Sequence, residues 1–262
     1  MLVSVTELWN AETHGFPYKE SLAELATICD VCFVVLCGEQ TDGTEEALLG
    51  LDKVRTIGAP SVENHEQIAD RVNIGILAAK TYGNDTVVLH VQGDEFIECN
   101  DALADAISLN RHKLLGDEAI TLAFPRWDFT EEASHVTPIF ESEPPVSRCF
   151  AVKWFPEIRS RGDGMHIDGG TGRQLAEDCP IWHYHGCQSE AQWQRKEHDF
   201  QVLYTRGENP AFGEPDKRIM QGAEIAWTDP RSRRYPVPRP HPARMQEWLK
   251  KSWMTSDAES NP

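Results

Sequence analysis

No stretch of this 262-residue chain approaches the roughly 20 consecutive apolar residues that a membrane-spanning helix requires. The opening "MLVSVTELWN" has neither a basic leader region nor a small-residue cleavage site, so a cytoplasmic location is the default expectation. Positive charge is scarce: 25 Lys and Arg stand against 42 Asp and Glu, a formal net charge of -17. Non-specific attachment to nucleic acid or an anionic membrane depends on a positive field, and this balance argues against both. The pair Cys29 and Cys32 in "CDVC" has no second matched pair, so buried, reduced thiols are expected rather than a metal or redox centre. Internal repeats are absent. Neither GxGxxG after the first apolar run nor GxxxxGK[ST] occurs, which removes the dinucleotide-binding and P-loop readings.

What remains is a chain with 40% hydrophobic and 26% charged residues, enough to bury one large core. "LVSVTEL", "VCFVVLC", "KVRTIGAP" and "TVVLHV" read as strands, with helical periodicity in "YKESLAELATIC" and "ENHEQIADRVNIGILAAKTYG" between them. That alternation predicts a mixed α/β fold with a mostly parallel central sheet flanked by helices. Asp42, Gly43 and Thr44 form a turn in which Thr44 is expected to cap the next helix. After the helix "DALADAISL" come the strand-like "AITLAFPRWDF" and "VSRCFAVKWF", then a glycine-rich stretch, and "IWHYHGCQSEAQWQRKEHDFQVLYTRG" begins as a strand and continues as a helix. The expected organisation is a core over residues 1–205, split into halves 1–100 and 101–205. An irregular extension ending in a helix follows over 206–252, and a disordered tail over 253–262.

In "TVVLHVQGDEFIE" an apolar run meets adjacent acids. Ligands of open α/β sheets bind beyond the carboxyl ends of parallel strands, which is where Asp94 and Glu95 stand. The plainer reading is that both acids only begin the next turn and helix. With no phosphate-binding glycine loop, the remaining way to hold a diphosphate among so many acids is a divalent cation on oxygen ligands, and Asp94 is the natural one.

At this point the chain resembles the family 2 glycosyltransferases of the GT-A fold, whose "LDADE" and "S-x-D-G-T" patterns are matched here by "VQGDE" and "EQTDGT". It is similar in particular to a bacterial and phage branch, through "WNAETHGFPYKESL", "FPEIRSRGDGMHID", "IWHYHGCQSEAQWQRKEHDF" and "HPARMQEW". The resemblance covers about residues 3 to 250. It implies a GT-A fold and a divalent cation, Mn2+ or Mg2+, on Asp94, with His183 completing the shell and His185 beside it. Gln92 falls where the family carries the first acid of its metal motif, and a neutral amide adds no charge for a cation. Base and donor contacts are implied at Glu7, Asn10, Asp42, Arg71, Asn73 and Gln92. Cys37 or Gly38 stands where many members carry an acid, which leaves the nucleotide open.

The implied reaction is inverting transfer of a sugar from a nucleotide-diphospho-sugar (a UDP-, GDP- or dTDP-sugar) to an acceptor hydroxyl. An oxocarbenium-like centre needs a base opposite the diphosphate; Asp168 is the first candidate and Asp163 the second. Arg159, Lys196 or the late basic segment would add charge against the leaving diphosphate. Two other readings stay open: a sugar-phosphate nucleotidyltransferase, although its glycine-rich, lysine-containing loop is missing, and a GT-A-like binding module without catalysis, which Gln92 makes conceivable. The acceptor is unassigned; nucleic acid is not expected from the charge but is not removed as an acceptor. The proline-rich "RRYPVPRPHPARMQEW" is expected to cross the domain in an extended path. It would bring Arg233, Arg234, Arg239 or His241 over the phosphates, or else serve as a strap over core.

Overall fold

The computed structural model describes residues 1–129, 133, 135–138, 146–162, 164, 166–205, 235–237 and 239–259. The chain begins with β1 (Leu2–Leu8), α1 (Tyr18–Ile28), β2 (Val31–Cys37), α2 (Thr44–Leu48), β3 (Val54–Ala59), α3 (Glu66–Lys80) and β4 (Val87–His90). These four strands pair in parallel in the order β3-β2-β1-β4. β2 is buried along almost its whole length, which is why it reads as an unbroken apolar run. Next come β5 (Glu95–Ile97), α4 (Asp101–Leu114), β6 (Ile120–Phe124), β7 (Arg126–Asp128), β8 (His135–Pro138) and β9 (Val146–Ala151). After them are β10 (Arg159–Arg161), β11 (His166–Asp168), β12 (Gly172–Leu175), β13 (Ile181–His183), α5 (Glu190–Thr205), β14 (Tyr235–Pro236) and α6 (Ala243–Glu259).

The central sheet has seven strands in the order β12-β6-β9-β4-β1-β2-β3, and only β9 runs against its neighbours. The expected mostly parallel sheet between helices is thus what the chain forms. Reversal of β9 brings its first residues, Ser147 and Arg148, to the edge where β1, β4 and β6 end. On one face α1 buries Tyr18, Leu22 and Leu25, and α4 buries Leu103, Ile107 and Leu114. On the other, α3 and the β10–β11 hairpin bury Val72, Ile76, Ile158 and Ile167 against Val3, Val5 and Phe150. A second sheet, β14-β8-β7-β13-β5, stands beyond the carboxyl edge of the first, with its own core of Phe96, Phe129, Trp182, Tyr184, Met245 and Trp248.

Several local expectations are revised. Asp94 and Glu95 do not start a helix: Glu95 opens β5, and α4 is capped by Asn100, whose side chain accepts from Leu103 N at 3.2 Å. Thr44 is not the cap of α2; the Asp42 carboxylate accepts from Thr44 N at 3.0 Å and from its hydroxyl at 2.6 Å. The longer reach of Asp42 serves the helix start from two positions back. Helix α6 runs on to Glu259, so most of the expected tail is helical. All seven cysteines are free and six are buried, Cys29 and Cys32 among them. No helix among the described residues is long and apolar enough to cross a membrane.

Helix α3 lies so close to the sheet that a Cβ on Gly75 would stand 2.4 Å from Val5 Cγ1, and Val5 is fully buried. Helix propensity alone would make Gly75→Ala stabilising by about 1 kcal/mol. Overpacking against a buried side chain works the other way, by about 1 to 3 kcal/mol. The variant is therefore expected to lower the urea midpoint; a raised midpoint would show that α3 shifts freely on the sheet.

Candidate functional site

The site grows from the end of β4. The chain leaves the sheet at His90, turns through residues 91–94 with Glu95 N donating to Gln92 O at 3.1 Å, and enters β5. β13 pairs with β5 on one side and β7 on the other, and its register sets His183 opposite both Glu95 and Asp128. Alternation along β13 sends Trp182 and Tyr184 into the aromatic core, so His183 takes the other face. Helix α5 then brings Lys196, whose side chain is 1% exposed.

Asp94 is where these pieces meet. Its Oδ2 accepts from Lys196 Nζ at 2.9 Å, lies 3.1 Å from His183 Nε2 and stands 3.9 Å from His185 Nδ1. Burial by itself would raise the carboxyl, but the Lys196 ammonium and then His183 hold it well below the usual carboxylate range. His183 Nδ1 lies 2.5 Å from Asp128 Oδ1 and 2.7 Å from Arg126 Nη2. Burial and Arg126 depress its basicity; Asp94 and Asp128 outweigh them, and the imidazole is raised above its ordinary value. His185 goes the other way, down to about 4, through burial and then the Lys196 ammonium. One ligand atom each from Asp94, His183 and His185 falls within 4.8 Å of the others, so these three side chains form a group that can hold a metal ion.

The cluster continues inward as a chain of buried charge. Arg148 Nη2 donates to Glu95 Oε1 at 2.6 Å, with neither side chain exposed, and to Gln92 Oε1 at 3.3 Å. Its Nη1 lies 2.8 Å from His90 Nδ1, and His90 Nε2 is 3.0 Å from Glu7 Oε2. Arg126 joins Glu95 at 3.7 Å to Asp128 at 3.0 Å. Asp94, Glu95 and Asp128 thus meet the basic side chains Lys196, Arg126 and Arg148, and Glu7 extends the network through His90.

The other sequence candidates divide. Glu7 and Gln92 belong to the inner network, with Gln92 Nε2 donating to Glu7 Oε1 at 3.3 Å. Asn10, at φ 45°, links the loop after β1 to the loop after β2: its N donates to Gln40 Oε1 at 2.8 Å and its Oδ1 accepts from Thr41 N at 2.9 Å. Asp42 adds a bond from Thr13 N at 2.6 Å. Arg71 donates to Ser61 O at 2.8 Å, and Asn73 clasps Ser160 through both backbone groups, at 2.9 and 3.1 Å. These two side chains tie α3 to its neighbours instead of lying on an open helix face.

Asp168 stands away from the Asp94 cluster, half-exposed and 2.8 Å from Arg161 Nε. It lines a cleft of about 330 Å³ with Thr121, Ser147, Ile167 and the glycine-rich run to Arg173. The same hairpin reaches the inner network at Gly164, whose carbonyl accepts from Arg148 Nη1 at 3.4 Å. Gly164 and Asp168 are four positions apart in the chain, a span of at most about 14 Å. Asp163 lies outside the described residues, as do Arg233 and Arg234. Arg239 stacks on Trp127 and Trp182, and His241 Nδ1 is 2.9 Å from the Tyr184 hydroxyl. The described part of the C-terminal strap therefore packs on aromatic core.

Sequence reasoning did not single out His90, Arg126, Asp128 or Arg148 as site residues, and it gave Glu95 no role beyond its place. The usable signal was a charged residue inside a strand-like run: Arg148 in "VSRCFAV" and Arg126 in "AFPRWDF". A charge inside such a run has to be paired, and Asp128, two positions from Arg126, and the adjacent Asp94 and Glu95 were acids available for it.

No family model and no curated protein matches the chain. Among solved structures, it is similar to Staphylococcus aureus TarS 1-349 in complex with UDP-GlcNAc, at 13% identity and a TM-score of 0.48, covering 77% of this chain and 64% of that one. It spans only 39% of another, longer TarS chain. A nucleotidyl transferase from Methanothermobacter matches at 14% identity and a TM-score of 0.41, over 78% and 97% of the two chains. Glucosyl-3-phosphoglycerate synthase from Mycobacterium tuberculosis, in complex with Mn2+, UDP and glucosyl-3-phosphoglycerate, matches at 13% and 0.31, over 47% and 44%. Likenesses at these scores carry no functional argument; only the chain's own residues bear on its chemistry.

Two outcomes are expected of the buried charges. Arg148→Met leaves Glu95 with only the longer Arg126 contact and should lower unfolding free energy by up to about 3 to 5 kcal/mol in denaturant melts, with Glu95→Gln on the same chain restoring part of it. The pH profile has three limbs. Asp94, Glu95 and Asp128 are depressed, so their stabilisation is present above about pH 4 and lost as pH falls through their lower folded values. His185, neutral in the fold down to about 4, costs stability as pH falls from about 6.5. His183, raised, contributes fully below about 6.5 and loses that contribution as pH rises through its folded value. Thermal melts should therefore peak near neutrality, and His183→Gln should flatten the alkaline limb.

Proposed function

We propose that this chain is a glycosyltransferase of the GT-A type, transferring a sugar with inversion from a nucleotide-diphospho-sugar to an acceptor hydroxyl. The observation that carries the reading is the convergence of Asp94, His183, His185 and Lys196 just beyond the carboxyl end of β4. This is where an open α/β sheet binds its ligand, and the chain has no glycine loop to serve phosphates there instead.

A carboxylate and two imidazoles, with ligand atoms within 4.8 Å of one another, are a chemically suitable donor set for a divalent ion. Imidazole donors suit Mn2+ better than Mg2+, which prefers oxygen and water. Bound by Asp94, His183 and His185, the ion would supply Lewis-acid stabilisation to the leaving diphosphate. Lys196 lies against the same Asp94 oxygen. The loops held together by Asn10 and Asp42 frame the nucleoside side, and Glu7 and Gln92 stiffen the floor beneath it. Asp168, at the cleft of about 330 Å³, is the base that takes the proton of the acceptor hydroxyl, with Asp163 the second candidate. The hydroxyls of Thr121 and Ser147, 2.9 Å apart in that cleft, suit a polar acceptor.

A thermal-shift screen of UDP-, GDP- and dTDP-sugars, with and without manganese, tests the reading. One donor class is expected to stabilise the chain, by about 2.7 kcal/mol at a hundred times its Kd. Asp94→Ala should abolish that stabilisation. Absence of any shift across the screen, or an undiminished shift in Asp94→Ala, would remove the proposal.

A further inference from the structure

The group able to hold a metal already contains a cation. Lys196 Nζ lies 2.9 Å from Asp94 Oδ2 and 2.9 Å from His185 Nδ1, so one ammonium engages atoms of two of the three ligand side chains. A metal ion drawing on that oxygen and that nitrogen lone pair, at bond lengths near 2.0 to 2.2 Å, would meet the ammonium there. An ammonium at hydrogen-bonding distance from both competes with an ion for that position.

Lys196 is also held in place. Its side chain is buried, and its ammonium sits 4.8 Å from the ring centre of Phe16 and 5.7 Å from that of Phe200. The helix that carries it is pinned to the loop after β1. His14 Nε2 lies 3.2 Å from Asp199 Oδ2, and Gln192 Nε2 donates to Glu12 O at 3.5 Å. The neighbouring Arg195 points to water, 61% exposed, and pairs with Asp199 instead.

We infer that Lys196 is the resident cation of this site, an internal competitor that a divalent ion must displace before it can bind Asp94 and His185. With no metal bound, the ammonium keeps the Asp94 carboxylate paired. The inference rests on reading Asp94, His183 and His185 as a cation site, and it is tested with manganese alone, so its failure is distinct from a failure of sugar transfer.

The measurement is Mn2+ binding to the full chain by electron paramagnetic resonance, in wild type, Lys196→Met and Arg195→Met. Lys196→Met is expected to bind Mn2+ at least about tenfold more tightly than wild type, with Arg195→Met unchanged. Equal affinity in wild type and Lys196→Met, no binding to either, or equal tightening by Arg195→Met would overturn the inference. Should Lys196→Met not fold, amine acetylation of wild type read by mass spectrometry replaces it. Labelling of Lys196 that rises with added manganese supports displacement, and flat labelling overturns it.

Discussion

Glu95 and Arg148 meet at 2.6 Å with both side chains out of water, and most of the site's geometry depends on keeping that pair together. A lone carboxylate or guanidinium at that depth would cost several kcal/mol, so each depends on the opposite charge beside it. Neither is saturated by a single bond. Arg148 has further donors to spend on His90 and Gln92, and Glu95 accepts from Gln92 N at 3.0 Å and faces Arg126. The requirement spreads outward from one pair to β4, β5, β7, β9 and β13, and ends at Asp94, where the network reaches solvent. The side chains nearest that opening are thereby positioned by charges that have no contact with solvent.

Topology makes the pairing possible. Were β9 parallel to its neighbours, Arg148 would lie near the far edge of the sheet; its reversal brings Arg148 alongside His90 and the turn that carries Gln92 and Asp94. The second sheet supplies the rest through register. Glu95, His183 and Asp128 occupy one cross-strand row, so two acids flank one imidazole without any loop having to arrange it. The aromatic core beneath that sheet is as important as the charges above it. Trp182 and Tyr184 bury themselves against Phe129 and Trp248, and strand alternation then leaves His183 only one direction to face. His241 sits in contact with Phe129, Trp182 and Tyr184, which gives the C-terminal strap a structural hold on the same histidine strand.

Local sequence was sufficient where one element answers to its own pattern. The buried run of β2, the amphipathic spacing of α1 and α3, and the strand that ends before Asp94 are short-range consequences of which side chains must leave water, and they imply a mostly parallel α/β sheet with a site at its carboxyl edge. Asp94 was legible for the same reason, as an acid at the end of an apolar strand, whereas His183 came only from the family resemblance. Which groups those residues would meet was decided by tertiary structure alone. Arg148 and Asp94 are 54 positions apart, Lys196 and Asp94 more than a hundred, and no periodicity carries information over such separations. Register and strand direction place Glu95 against Arg148, withdraw Asn73 and Arg71 into contacts with main-chain groups, and set the Lys196 ammonium between Asp94 and His185, because a buried charge takes whichever opposite charge or lone pair the fold brings within reach.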